Sequence, residues 1–554
     1  MLKVSKLPEP RMKHYSIWLL LCITLSSATV PFSCNHEEIV AVVGPPRTIP
    51  PIRVPPAPGP FIYVTPNYQS NWTYYNGVKI YDKIIGPGSV QESDVLRIEV
   101  RKDYGASIQI YDKVTKQNLI NFFDLGRESG MSSYSGIEDI PFSDDSPRWK
   151  GIGYNPLQAG DDGGNPAPVL YHGFVDGWIY TRAQCLSWPH TTAKLLPFFY
   201  EQWARVDGNK VHVKVRLTHR RGDNKFHGPG EQEWPMMFVN GARKVHFYNG
   251  PAPFTNAPAT VTDGIERTLS PGNFVLHQGT VYGQTEPWQG VEVGKNPDGS
   301  PRMIGLYTPG YYRANYNVMS IPANDSWEGG NTSTYVSNRP FYHLDSENVW
   351  LKEYTYVVGT EQQVREFVYA QPRQNTPDFH FRKADGRNGW FIWDGGYDQK
   401  EPFVSDNWKV TFTGKTENGV TNAWGSKLMS GYHSFKASEF NSVYIRMAYS
   451  GPQTQLHLTW LLNGQAPDGM DPRYPNQNKV RFPNGIRNSN QYIPFNVIND
   501  GKMHTYKVSF AGHPMWKDII QQFEITHNSD SRFVPPGEVI ELNYLGVNDP
   551  GVAF

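Results

Sequence analysis

Apolar and polar residues alternate in short runs along most of this chain. Val95–Val100 (VLRIEV), Ser107–Tyr111 (SIQIY) and Val211–Leu217 (VHVKVRL) place apolar side chains at every second position. That period is the mark of a strand with one buried face. Asp207-Gly208 precedes the third run and is a turn pair, so Trp203–Val206 and Val211–Leu217 are expected to form a hairpin. Helical spacing is clearest in Glu361–Tyr369 (EQQVREFVY), with Val364, Phe367 and Val368 on one face. It predicts a short surface helix near a domain end. Gln371–Arg387 is weakly patterned and marks a boundary. From Gly389 the alternation resumes through Trp390–Trp393, Asn407–Thr413, Val443–Tyr449, Gln455–Leu462, His504–Phe510 and Val539–Leu545. About eight such short strands suit a two-sheet sandwich of jelly-roll type. No repeat of about 20–50 residues is visible, which disfavours a propeller or solenoid.

Composition narrows the class to all-β. The chain has 51 Gly, 45 Pro, 14 % aromatic and 19 % charged residues. A long helical bundle needs far more Ala, Leu, Glu and Lys. At 38 % hydrophobic residues over 554 positions, the chain buries a sizeable core rather than staying disordered. Lys+Arg and Asp+Glu are both 52, without the basic excess of a nucleic-acid binder. A monomer is expected.

The longest apolar run is Ile17–Val30, after Arg11, Lys13 and His14. It is shorter than the ~20 residues of a transmembrane helix and has the layout of a secretory signal. Cys34, in the context PFSCNHEE, resembles the lipidated cysteine of a bacterial lipoprotein. Glu37 and Glu38 resemble the acidic export tag of Bacteroidetes surface lipoproteins. The resemblance implies a signal peptide over 1–34, lipidation at Cys34 and a cell-surface, outer-membrane location. Ordinary cleavage near Ala28 is the plainer alternative, giving a secreted or periplasmic protein. Cys185 is left a lone thiol. The Pro-rich segment 35–60 reads as a semi-rigid linker.

Four separated motifs carry a further resemblance. They are Asp124–Gly136 (DLGRESGMSSYSG), Trp149–Pro166 (WKGIGYNPLQAGDDGGNP), Gly230–Pro235 (GEQEWP) and Thr285–Gln289 (TEPWQ). Together they resemble a family of secreted bacterial proteins that has no settled activity. Its members are similar to carbohydrate-active proteins with a galactose-mutarotase-like supersandwich. The resemblance implies a large β-supersandwich over 61–375. Trp516–Val547 resembles the closing strands of jelly-roll modules beside polysaccharide-degrading domains, in which the last strand returns beside the first. That implies a carbohydrate-binding-like jelly roll over 376–554, and a polysaccharide or oligosaccharide partner for the whole chain.

Carbohydrate chemistry needs two carboxylates flanking a glycosidic bond, or a lyase's acid and base with a cation facing a uronate. Glu231 and Glu233 are two apart, which on a strand puts both on one face. Adjacent carboxylates raise one another's pKa, which suits acid/base work. Against this, one is a rim residue and the other pairs with Arg220 or Arg221. Asp161, in the Gly-rich loop after Gln158, is a second candidate acid; the loop also suits a structural calcium ion or plain turn chemistry. Tyr134, His219 and Arg127, with His172, form a lyase-like set, although each alone is more often structural. Trp149, Tyr154, Asn155, Gln158, Trp234 and Trp288 are candidate sugar-binding residues, because aromatic faces stack on sugar rings. The competing reading buries about half of the aromatics in the core. No zinc-type His/Cys cluster, Gly-x-Ser-x-Gly elbow or dinucleotide Gly-x-Gly-x-x-Gly occurs, and no cofactor is expected. The leading expectation is a polysaccharide-degrading hydrolase or lyase, and the alternative is a surface glycan-binding lipoprotein without catalysis.

Overall fold

A computed structural model describes residues 74–75, 78–79, 89–134, 152–222, 229–241, 243–262, 275–281, 283–319, 330, 332–383, 386–393, 397–398, 403–413, 415–417, 420–422, 427–465, 487–527 and 537–551. Cys34, the linker and Trp149 lie outside these residues. The chain is all-β, with a single α-helix among the described residues.

The first unit is organised by a 15-stranded sheet. Its centre is the expected hairpin, Leu195–Asp207 with Lys210–Arg220, closed at the register Asp207↔Lys210. Gly208 takes φ +56° in the turn, a left-handed conformation that costs glycine little. Along Lys210–Arg220, Val211, Val213, Val215 and Leu217 are buried while Lys210, His212, Lys214 and Arg216 lie on the other face. Alternation alone orients this strand, since shifting it by one residue would expose every valine.

The sheet bends back on itself. Glu233–Asn240 and Ser333–Asn338 form one limb, Lys210–Arg220 and Glu347–Gly359 the other. Trp234, Met237, Val239 and Val336 from the first limb share one core with Val213, Val215, Trp350, Tyr354 and Tyr356 from the second. Ser129 and Tyr356 join their hydroxyls across the gap. A four-stranded sheet that includes Leu96–Arg101 and Ser107–Asp112 adds Leu96, Ile98, Val100, Ile108 and Ile110 to the same core.

The helix spans Glu361–Tyr369 as its spacing predicts. Thr360 and Gln363 cap it reciprocally, Gln363 N donating to Thr360 Oγ1 (3.2 Å) and Thr360 N to Gln363 Oε1 (2.9 Å). This satisfies two otherwise orphaned donors. Val364 and Val368 are buried. A Cβ at Gly305 would lie 2.6 Å from Val364 Cγ1, so the close approach of helix to sheet requires glycine there.

Strands from Asp378–His380 onward pair among themselves in a seven-stranded and a six-stranded sheet, with a separate short hairpin. Trp390, Trp408, Trp460 and Phe523 fill the space between them. The last strand, Val539–Gly546, pairs with Asn407–Phe412, with Ser442–Ser450 and with Asp378–His380, so the end of this unit lies beside its beginning. Arg387 grips Asp345 of the first unit through two 2.9 Å bonds. Gln521 Nε2 donates to Gly283 O at 2.7 Å.

Candidate functional site

Glu231 ends the short strand Pro229–Glu231, and Glu233 begins Glu233–Asn240. They belong to different sheets, because Pro229–Glu231 pairs with Phe341–His343 while Glu233–Asn240 joins the large sheet. Arg339, between Ser333–Asn338 and Phe341–His343, reaches both acids. Its Nη1 is 3.3 Å from Glu231 Oε2 and its Nη2 is 3.0 Å from Glu233 Oε1. Arg313 Nη2 donates to Glu231 Oε1. Tyr335 OH donates to Glu233 Oε1 at 2.5 Å, and Tyr134 OH to Glu233 Oε2 at 3.2 Å.

The backbone behind these groups is tied down by Gln232. It accepts from Tyr134 N (2.7 Å) and donates to Tyr134 O (2.7 Å). Glu233 is buried, whereas Glu231 and Tyr134 are half-buried, so the cluster reaches the surface through those two residues. The pairing to Arg220 or Arg221 expected as the plain alternative does not occur; Arg313 and Arg339 take that place. Chemically, the arrangement offers a fixed carboxylate acceptor behind a tyrosine hydroxyl, a short path for a proton from a bound molecule.

The other candidates lie elsewhere. Arg127 precedes the strand Ser129–Ser132 and Tyr134 follows it, so the strand separates them. Arg127 pairs with Asp124 (3.5 Å) and stacks on Phe123. His219 is buried, with Nδ1 2.7 Å from Asp345 O and Nε2 2.7 Å from Tyr154 OH. The carbonyl can only accept, so Nδ1 carries the proton and Tyr154 donates to Nε2. Burial and the nearby Arg221 push the His219 pKa down to about 3, which keeps the ring neutral. His172 Nε2 accepts from Ser89 N at 3.1 Å. The lyase-like set therefore does not assemble, and of its members only Tyr134 bonds to the Glu231–Glu233 cluster.

Asp161 holds its own loop. Its two oxygens accept from Asn165 N (2.9 Å), Asn165 Nδ2 (3.1 and 2.9 Å) and Ala193 N (2.8 Å). Burial raises its pKa against those bonds. Those bonds occupy the carboxylate that a calcium ion would need. Asn155 Nδ2 donates to Ser132 Oγ (2.9 Å) and Ser133 O (2.6 Å), and Gln158 Nε2 donates to Gly105 O. Both side chains brace the loop from inside.

The tryptophans correct the stacking expectation. Trp234 is fully buried between Tyr342 and Trp350, its Nε1 donating to Ser133 Oγ at 2.9 Å. Trp288 is buried beneath the helix with Tyr248, Tyr307 and Val364, its Nε1 donating to Glu286 Oε2 at 2.7 Å. Neither offers a ring face to a sugar. Large aromatic area is worth more inside a core than at its edge, and sequence alone does not distinguish the two uses. Arg313, Arg339 and Tyr335, which organise the carboxylates, carried no local signal.

No family model matches the chain, and no curated protein matches it. Among solved structures, it is similar to a galactose mutarotase related enzyme from Lactobacillus acidophilus, at 10 % identity and TM-score 0.31, over 50 % of this chain and 99 % of that one. It is similar to a galactose mutarotase-like protein from Lactobacillus casei, at 13 % identity and TM-score 0.29, over 49 % and 100 %. A 4-alpha-glucanotransferase from Thermococcus litoralis matches at 10 % identity and TM-score 0.24, over 49 % of this chain and 37 % of that one. At scores this low, the fold description rests on the strand pairing itself.

Proposed function

We propose that the chain acts on extracellular polysaccharide at the Glu231–Glu233 cluster, as a cell-surface lipoprotein anchored through Cys34. The observation that carries the reading is the convergence of two carboxylates on one guanidinium, with Tyr134 hydrogen-bonded to Glu233 at the half-buried edge. In this reading Tyr134 and Glu233 move the proton as general acid and base, and Arg339 keeps both carboxylates in place. Hydrolysis and β-elimination both use such a pair. Incubating the chain with neutral and uronate polysaccharides, while reading new reducing ends and unsaturated-uronate absorbance together, separates them. Reducing ends without absorbance exclude elimination; neither signal excludes catalysis.

A non-catalytic glycan-binding reading is favoured by a different observation. On the face of the large sheet away from its core, the exposed ring of Tyr171 lies 5.1 Å from Tyr180, which is itself buried beside Trp203 at 4.9 Å. Arg182 and Arg205 lie over neighbouring Phe199 and Trp178. Retardation of the chain by a polysaccharide that it leaves intact is the result this second reading expects.

A further inference from the structure

The ribbon that carries Glu231 is too small to hold itself. Pro229–Glu231 and Phe341–His343 pair as a separate two-stranded sheet, and a lone ribbon of that kind is marginal in water. The C-terminal unit supports it. Phe391 packs its ring on Phe341 at 4.9 Å, and Ile392 N lies 3.5 Å from His343 Nε2. Just beyond the ribbon, Arg387 holds the Asp345 carboxylate through both of its terminal nitrogens. The Asp345 backbone is fixed from the first unit, where His219 Nδ1 donates to its carbonyl at 2.7 Å.

The local backbone is unusual at Arg387. Arg387, Asn388 and Gly389 follow one another with φ of 63°, 48° and 70°. Glycine takes that conformation freely and asparagine tolerates it, but arginine is strained there. Strain of this kind persists where the surroundings over-determine it. Arg387 is buried, bonded to Asp345, and its guanidinium lies over Phe403 and Trp408 at 5.1 and 5.8 Å. Asn388 Nδ2 donates to His380 O. The strained turn thus aims one guanidinium from the C-terminal unit into the first.

The same ribbon reaches the proton-transfer pair. Gln232 N donates to Pro340 O at 2.8 Å, and Gln232 Nε2 donates to Tyr342 O at 3.2 Å. Gln232 in turn holds Tyr134 N and Tyr134 O. The Arg313 guanidinium, ion-paired with Glu231, lies over Phe341 at 5.8 Å. Taking the Glu231–Glu233 cluster as the reacting site, as above, we propose that Arg387 is a positioning residue for it. Through Asp345, and with Phe391, Arg387 sets the segment 340–345 and so the place of Gln232 and Tyr134. The C-terminal unit is then part of the site rather than an appended module.

Hydrogen–deuterium exchange of the full chain reads this positioning without a substrate. Arg387→Lys keeps the charge but loses the two-pronged grip. It and Phe391→Leu are compared with the wild type and with Ile525→Val, a core change two strands from Phe391 in the same sheet. In both clasp variants the amides of Tyr134 and Gln232 should exchange about tenfold faster through local opening, while the hairpin Leu195–Arg220 is unchanged. Ile525→Val should lower Tm and leave both regions alone. On a polysaccharide that the chain degrades, Arg387→Lys should lower kcat about tenfold at constant KM, because a misplaced group slows the reaction. It should add nothing in a Tyr134→Phe background. Unchanged exchange at Tyr134 and Gln232 overturns the proposal, as does exchange raised across the whole first unit. A loss of kcat that adds to that of Tyr134→Phe overturns it too. Faster local exchange in a chain that degrades no polysaccharide supports the positioning and removes only the catalytic reading. If Arg387→Lys does not fold, Phe391→Leu decides by the same exchange pattern.

Discussion

Glu233 in the first unit and Glu524 in the second are both buried acids held by arginine, yet their oxygens are used differently. Around Glu233 the contacts are shared out, Tyr335 donating to Oε1 with the Arg339 guanidinium ion-paired beside it, and Tyr134 donating to Oε2. Around Glu524 all three donors crowd onto Oε2 and leave Oε1 bare. The first arrangement fixes a carboxylate behind a half-buried tyrosine, which suits proton transfer. The second neutralises a charge deep in the interior, which suits holding the sandwich together. Similar residue types thus lead to different chemistry, and the distribution of hydrogen bonds decides which.

The largest effect that would break this comparison is on stability. Glu524→Ala strands Arg487 and Lys427 in the interior, and is expected to cost about 3–5 kcal/mol in urea denaturation. A loss under about 1 kcal/mol would mean that the cluster is more hydrated than its burial implies.

Next comes activity. On a polysaccharide that the chain degrades, Glu233→Gln should lower kcat about 10²–10⁴-fold, the range of general acid–base catalysis. Tyr134→Phe should fall with it, while Tm moves little. Equal kcat in both variants would reduce the first cluster to a structural ion-pair network, and the contrast with Glu524 would vanish.

A smaller effect is set by pH. Arg487 and Lys427 outweigh burial and hold the Glu524 pKa down to about 2. Its folded pKa lies below the unfolded value, so its contribution is present above about pH 4.3 and is lost as pH falls toward 2. His246 has the opposite sign. It lies 2.9 Å from both Glu292 and Glu361. Burial pulls its pKa down, but the two carboxylates outweigh it and leave it raised. That contribution is full below about pH 6.5 and is lost as pH rises through the folded value. Urea midpoints from pH 6 to 9 should fall in the wild type and flatten in His246→Phe. Parallel curves would show that the pair does not titrate with folding.

The smallest change in activity is expected at Arg127, which is buried, pairs with Asp124 at 3.5 Å and stacks on Phe123. Arg127→Gln should lower Tm but leave kcat unchanged. A large loss of kcat would return Arg127 to the site and undo the separation from Tyr134.

Much of the secondary structure was legible in the chain. The hairpin at Asp207-Gly208, the helix Glu361–Tyr369 and the strand Gln455–Leu462 all follow from spacing, because side-chain direction repeats every two residues in a strand and every 3.6 in a helix. The two glutamates were legible as a pair, but not their partners. Arg313 and Arg339 stand 82 and 108 residues from Glu231, and no local pattern joins them. The tryptophans were legible only as large amphipathic rings, equally suited to a core and to a sugar. Sequence alone therefore determined the all-β class, the strand-forming runs and the helix, which depend on neighbours a few positions apart. Only the folding back of the large sheet decided that Trp234 packs on Trp350, that His219 is sealed against Tyr154, and that two carboxylates meet one arginine. Those outcomes depend on which distant strands end up facing each other, a property of long-range register that local alternation does not encode.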